Sequence, residues 1–183
     1  DIPEVIIEEF IDFQLEFVLL TITQKKGPTL FCPPIEDIQK VADELPLMNG
    51  AEDTIARLKE EGLDVAIISG SFDIVAQTVK DKLGIENAYT NSFTVEDGKL
   101  TGNYVGDIVD GKRKAELLRL LAQVEKVDIR QTVAVGDGAN DLPMLNIAGL
   151  GIAFHAKPKV KANAKQSIST IGLDGILYFL GYK

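Results

Sequence analysis

Tryptophan is absent from this chain, and cysteine and histidine occur once each, as Cys32 and His155. A lone cysteine excludes an intramolecular disulfide framework and a cysteine-built zinc cluster, and it suits a reducing cytosol. Its ordinary role is that of a small buried hydrophobe. Positive charge is also scarce: 19 basic residues face 28 acidic ones, and the formal net charge of -9 repels a polyanion unless the basic residues gather on one face. Nucleic acid is therefore not an expected partner. Long apolar runs are lacking too. The strongest one near the start, Phe17 to Leu20, falls far short of a membrane span, and acidic residues precede it where a secretory signal carries basic ones. The expectation is a soluble cytoplasmic protein with no membrane partner, free of internal repeats and low-complexity tracts.

What is present suits one compact domain, because 183 residues of which 45% are hydrophobic can fill a single core. From Asn49 onward, helix-period and strand-type segments alternate. "GAEDTIARLKEEG" places Ile55 and Leu58 at helical spacing and stops at Gly62. "LDVAIISG" is a short β-branched run suited to a strand covered on both faces. "SFDIVAQTVKDKLG" returns to helix, with Ile74, Val75, Val79 and Leu83 inward. "NSFTVEDGKLTGNYVGDIV" alternates around Asp97-Gly98, a dipeptide that favours a tight hairpin, and reads as an excursion from the alternating core. "GKRKAELLRLLAQVEK" is an amphipathic helix, "TVAVGD" a buried strand, "DLPMLNIAG" a short helix and "LGIAF" a further strand. "DGILYFLG" closes as a helix laying Ile176, Leu177, Phe179 and Leu180 on the body. Such alternation predicts an α/β fold: a doubly wound, mostly parallel sheet with right-handed crossovers, whose ligands gather beyond the carboxyl ends of its strands.

Chemistry-bearing residues cluster at those ends. Ser69 and Gly70 end a buried strand just ahead of a helix, where a hydroxyl and backbone N–H groups suit a phosphate; the plainer alternative is that Ser69 or Ser71 caps the helix. Lys114 lies early in the helix opening at Gly111, where its charge opposes the helix dipole. A bound phosphate justifies it there, while Lys112 and Arg113 beside it make a merely solvated basic surface the competing explanation. Asp137 and Asp141 are four apart, and Gly136 and Gly138 imply a loop between them, so both carboxylates can turn toward one point. Hard oxygen ligands at a strand end suit Mg2+, which takes one or two carboxylates and keeps waters; Asp141 also fits as an N-cap before Pro143. His155 sits among Lys157, Lys159, Lys161 and Lys165 and reads as a solvated surface histidine with neither catalytic nor metal role.

With "ISGSFD", "GKRKAELL" and "VAVGDGANDLPML" in this order, residues 46 to 183 resemble the haloacid-dehalogenase-like phosphatases, and among them most closely the phosphoserine phosphatases. The likeness extends through "AGLGIAFHAKPKV", where the family usually has asparagine in place of His155. The resemblance implies a Rossmann-like core acting with Mg2+ on a small phosphorylated metabolite, phosphoserine or similar, or retaining inorganic phosphate. It implies that Ser69 and Gly70 grip the phosphoryl group and that Lys114 neutralises its charge. Asp137 would ligate the metal, while Asn140 and Asp141 orient the phosphate, the lysine and the metal's waters. The family's scheme is covalent: one aspartate attacks phosphorus, a second protonates the leaving group, and water then cleaves the acyl phosphate.

Two family features are missing. No Asp-x-Asp pair occurs anywhere in the chain, so the DxDxT motif that should supply nucleophile and acid is absent. Aligning "LEFVLLTITQKK" with the motif's strand puts Thr21 at the nucleophile position, Thr23 at the acid/base position and Lys25 at the threonine. A threonine hydroxyl has neither the carboxylate's charge nor a histidine base to activate it. A second registration, "FIDFQLE", makes Asp12 the nucleophile and Gln14 its partner, although Glu8 and Glu9 interrupt the preceding apolar run. A third leaves the strand to be supplied from elsewhere, another chain included. The helical cap that selects substrate in these phosphatases also lacks room: between Thr23 and Asn49 there is space for a Pro-rich loop and one helix near Ile35 to Leu45. Residues 1–48 thus form a divergent segment ahead of a family-like core at 49–183. An impaired phosphatase is the expectation, with an oligomeric neighbour as one way to cover the site. A non-catalytic interaction protein is the other alternative, since Val5, Ile6, Phe10, Phe13, Phe17 and Leu20 also recur at helical intervals.

Overall fold

Among the described residues, seven strands form one sheet. The structure is a computed structural model that describes the backbone of residues 4–7 and then residues 34–182. In chain order the elements are β1 (Glu4–Ile7), α1 (Ile35–Glu44), α2 (Ala51–Glu60), β2 (Val65–Phe72), α3 (Asp73–Leu83), β3 (Asn87–Glu96), β4 (Lys99–Val105), α4 (Gly111–Val124), β5 (Thr132–Gly136), α5 (Leu142–Ile147), β6 (Leu150–Phe154), α6 (Pro158–Lys161), β7 (Gln166–Ile168) and α7 (Gly175–Leu180). The sheet order is β4-β3-β2-β1-β5-β6-β7, and all pairings are parallel except β3 with β4.

The continuous apolar runs make sense once both faces of the sheet are seen to be covered. Side chains alternate along a strand. Val65 and Ile67 of β2, with Val133 and Val135 of β5, join Ile55 and Leu58 of α2, Val79 and Leu83 of α3 and Ile176 of α7 in one core. The intervening Ala66, Ile68 and Ala134 meet Leu117, Leu118 and Leu121 of α4 and Met144 and Leu145 of α5 on the opposite face. Helix wrapping on both faces is the doubly wound arrangement that the alternating segments predict. Small residues on the second face let α5 approach closely: a Cβ at Gly151 would collide with the Leu145 carbonyl, and one at Gly149 with that of Arg130.

Two placements differ from the sequence expectation, and the hairpin is not one of them: β3 pairs parallel with β2 over Asn87–Asn91, and from Ser92 onward it turns back antiparallel on β4, as the segment around Asp97-Gly98 predicts. Its two-residue turn is the expected one, with Asp97 and Gly98 both at positive φ, 50° and 73°. The strand between β2 and β5 is Glu4–Ile7, with Val5 opposite both Val65 and Val133. The slot assigned to "LEFVLLTITQKK" is therefore taken by an earlier β-branched triplet that is equally able to pair. Thr21, Thr23, Lys25 and Asp12 lie outside the described residues, as does Cys32. Finally, Phe179 is 42% exposed while Ile176 is fully buried, since the short α7 offers the sheet one stripe and Phe179 falls off it. Between β1 and α2, the described residues contribute one helix, α1, which packs Ala42, together with Leu45 just beyond its end, on Val75 of α3. No helix among the described residues is long and apolar enough to cross a membrane.

Candidate oxyanion and metal site

Strands β2 and β5 run parallel on either side of β1, so their carboxyl ends open on the same edge of the sheet, about 10 Å apart at the usual inter-strand spacing. The centre of that edge is an ion pair. Lys114, on the first turn of α4, is 2% exposed, and its Nζ donates to Asp141 Oδ1 at 2.8 Å. Asp141 is itself fully buried, and its Oδ2 accepts the Gly138 N–H at 2.8 Å. Burial pulls the Lys114 pKa below its ordinary value, opposed first by the charge and hydrogen bond of Asp141 and then by the charge of Asp137. Both carboxylates therefore act on one ammonium group.

Local sequence explains how these groups meet. Asp110 caps α4 by accepting the Arg113 N–H at 2.8 Å, and its carbonyl takes the Lys114 N–H at 2.9 Å, which fixes the start of the helix and the lysine one turn in. Gly111 lets the helix start press on the following loop: a Cβ there would lie 2.5 Å from the Asn140 carbonyl oxygen. A Cβ at Gly136 would sit 2.6 Å from Asp141 Oδ2, so the glycine ending β5 is the space into which the Asp141 carboxylate folds. Asp141 occupies the N-cap position of α5 but makes no capping hydrogen bond with its side chain. The capping explanation fails for it, because its oxygens are turned inward to Lys114 and Gly138. The solvated-surface explanation fails equally for Lys114.

Ser69 and Gly70 lie where β2 and β3 lose register, between Ile68 and Phe72, and β2 continues to Phe72 before α3 begins at Asp73. Ser71 and Phe72 thus separate them from the helix start, and neither Ser69 nor Ser71 caps it. Instead Ser69 Oγ accepts the Ser71 N–H at 3.2 Å and lies 3.0 Å from Ser71 Oγ, folding the strand end into a tight turn with Gly70 exposed at its crest. Asn91, which sequence reasoning missed, ties this turn to the approach of α4 through Gly70 and Val109. Ser69 and Gly70 on one strand, Lys114 on its helix, and Asp137 with Asn140 and Asp141 on one loop therefore share a rim. Asp137 is half-buried and Asn140 exposed on it. His155 follows β6 at the same edge of the sheet, exposed, with Nε2 at 2.8 Å from the Ile171 carbonyl.

Among the described residues no group of three acidic, histidine or cysteine side chains converges as a metal cage. The half-buried Asp137 carboxylate is a hard oxygen donor of the kind Mg2+ takes. A cleft of about 430 Å³ lined by Asp73, Gln77, Thr90, Ser92, Asp107 and Arg113, among others, contains none of Ser69, Lys114, Asp137 and Asp141. It is not this rim.

Residues 2–149, which include Ser69, Lys114, Asp137 and Asp141, match the family model described as haloacid dehalogenase-like hydrolase. The chain belongs to that family, on its phosphoserine phosphatase branch. It is 45% identical over 152 residues to phosphoserine phosphatase of Haemophilus influenzae, covering 83% of this chain and 48% of that protein. It is 44% identical over 147 residues to the enzyme of Methanocaldococcus jannaschii, covering 80% of this chain and 70% of that one. A substrate-bound phosphoserine phosphatase superposes with a TM-score of 0.84 at 32% identity, over 100% of this chain and 99% of that one. The chain thus spans about half of the first of these relatives and rather more of the second.

Proposed function

We propose that this chain is a phosphoserine phosphatase-like core that binds a phosphomonoester or inorganic phosphate with Mg2+, and that its hydrolytic step is impaired. The observation carrying the binding half is the buried Lys114–Asp141 pair with Asp137 within electrostatic reach. An ammonium group held dry at the edge of a sheet is costly unless an anion or a paired carboxylate uses it. Ser69 Oγ and the Gly70 N–H would donate to phosphoryl oxygens, Lys114 would offset their charge, and the Asn140 amide would orient the group. Asp137 would hold the metal, which supplies charge stabilisation on the phosphoryl oxygens when bound. Asp141 would act mainly through Lys114, because its two oxygens already accept from Nζ and from Gly138.

The impaired half rests on the missing Asp-x-Asp pair. Covalent hydrolysis needs one carboxylate to attack phosphorus and a second to pass a proton to the departing oxygen; without the first, no acyl phosphate forms for water to cleave. Phosphate release from O-phospho-L-serine with Mg2+ tests this. Turnover should fall orders of magnitude below the ordinary enzyme value of about 10 per second. Turnover at that ordinary rate refutes impairment, and Asp12→Asn then decides whether Asp12 is the nucleophile.

A further inference from the structure

Asn91 is 5% exposed, on the strand that carries no other residue of the rim, and both ends of its side-chain amide are committed to distant backbone. Nδ2 donates to the Gly70 carbonyl at 2.7 Å, and Oδ1 accepts the Val109 N–H at 2.7 Å. Because Val109 can only donate at its nitrogen and Gly70 can only accept at its oxygen, the amide orientation is unambiguous. The contacts fall where the sheet does not hold the chain. The β2–β3 ladder is interrupted between Ile68 and Phe72, so the Ser69–Gly70 turn lacks regular strand pairing on this side. Val109 immediately precedes Asp110, the cap that sets Lys114 on α4. The two arms are close, since a Cβ at Gly70 would lie 3.3 Å from the Val109 carbonyl oxygen.

We propose that Asn91 is a positioning residue for phosphate: its amide, one donor and one acceptor in a rigid plane, sets the gap between the Ser69–Gly70 turn and the helix that delivers Lys114. The inference rests on the proposal that this rim binds phosphate. An oxyanion gripped from two separately anchored arms is bound well only when the arms stand at one spacing, and small misplacements of such groups are costly. No other uncharged side chain of similar size supplies the same pair of bonds. Asn91→Asp keeps an acceptor for Val109 but turns a second acceptor on the Gly70 carbonyl, and Asn91→Ser is too short to reach both.

The test is calorimetric titration of the whole chain with inorganic phosphate in saturating Mg2+, and separately with Mg2+ alone, alongside thermal unfolding. The wild-type chain should bind phosphate. Asn91→Asp should weaken phosphate about tenfold, the loss of roughly one buried hydrogen bond with its partner left unpaired, while the Mg2+ affinity set by Asp137 stays unchanged. Asn91→Ser reads the same quantity should the aspartate variant not fold. Variants that lose thermal stability yet bind phosphate as tightly as the wild type overturn the assignment of Asn91 alone. A wild-type chain that binds no phosphate takes down the phosphate site and this inference together.

Discussion

Replacing Lys114 by methionine isolates the interaction on which the rim is built. At 2.8 Å and an effective dielectric near 20, the Lys114–Asp141 attraction is about 6 kcal/mol. Removing two charges from water costs several kcal/mol per ion, so the intact pair contributes little net stability. The asymmetry appears when one partner goes. With the lysine replaced, the Asp141 carboxylate stays fully buried and retains the Gly138 N–H as a donor, and breaking a pair of this kind costs about 3–5 kcal/mol. In urea denaturation at neutral pH the Lys114→Met chain should lose that much, corresponding to a melting temperature lower by roughly 6–20 °C for a domain of this size. Adding Asp141→Asn removes the stranded charge while leaving an acceptor for Gly138. The double variant should regain at least half of the loss without regaining phosphate binding. A single variant within about 1 kcal/mol of the wild type, or a double variant no better than the single, would refute the buried pair.

Other consequences are more local. Gly136→Ala forces a methyl group against the Asp141 carboxylate, 2.6 Å from Oδ2, and should cost about 1–3 kcal/mol in urea denaturation as well as weakening phosphate binding; an unaltered midpoint means that Asp141 does not fold back over the strand end. Asp128, ahead of β5, is held down to about 2 from 3.8 by its side-chain bonds to Arg130 and by the Arg130 N–H. Because the folded value is the lower one, its contribution to stability is complete above about pH 4 and is lost as pH falls from there toward 2. A carboxyl-carbon NMR titration should give the low midpoint, and Arg130→Ala should return it toward the ordinary value; a midpoint near 3.8 in the wild type contradicts the bonded geometry.

The part of the fold legible in the sequence is the part governed by local period and punctuation. Helices ending at Gly62 and Gly84, the Asp97-Gly98 turn and the apolar runs of β2, β5 and β6 carry their structure in their own residues. The central strand does not. "EVII" and "FVLL" are both apolar and both able to pair, and what distinguishes them is the neighbour across the sheet, which a single sequence does not display. The candidate residues were legible at Ser69, Asp137 and Asp141 because motif spacing places them at strand ends, and at Lys114 because a cation early in a helix calls for a reason. Their environment was not. Lys114 looks solvated beside Lys112 and Arg113, and only the three-dimensional approach of the Asn140–Asp141 loop, permitted by Gly111 and Gly136, shows it to be buried. Asn91 was invisible for the same reason: within "YTNSF" it has the look of one more polar position in an alternating strand, and its two partners lie 18 and 21 residues away.

The most direct measurement is a titration of the isotope-labelled chain with inorganic phosphate in Mg2+, read through backbone amide shifts. If Ser69, Gly70, Lys114 and Asn140 hold the anion, the largest changes fall on those residues and on Gly138, and they saturate together. Changes confined to the Asp73–Arg113 cleft, or scattered over the surface lysines without saturation, would mean that the rim is not an anion site.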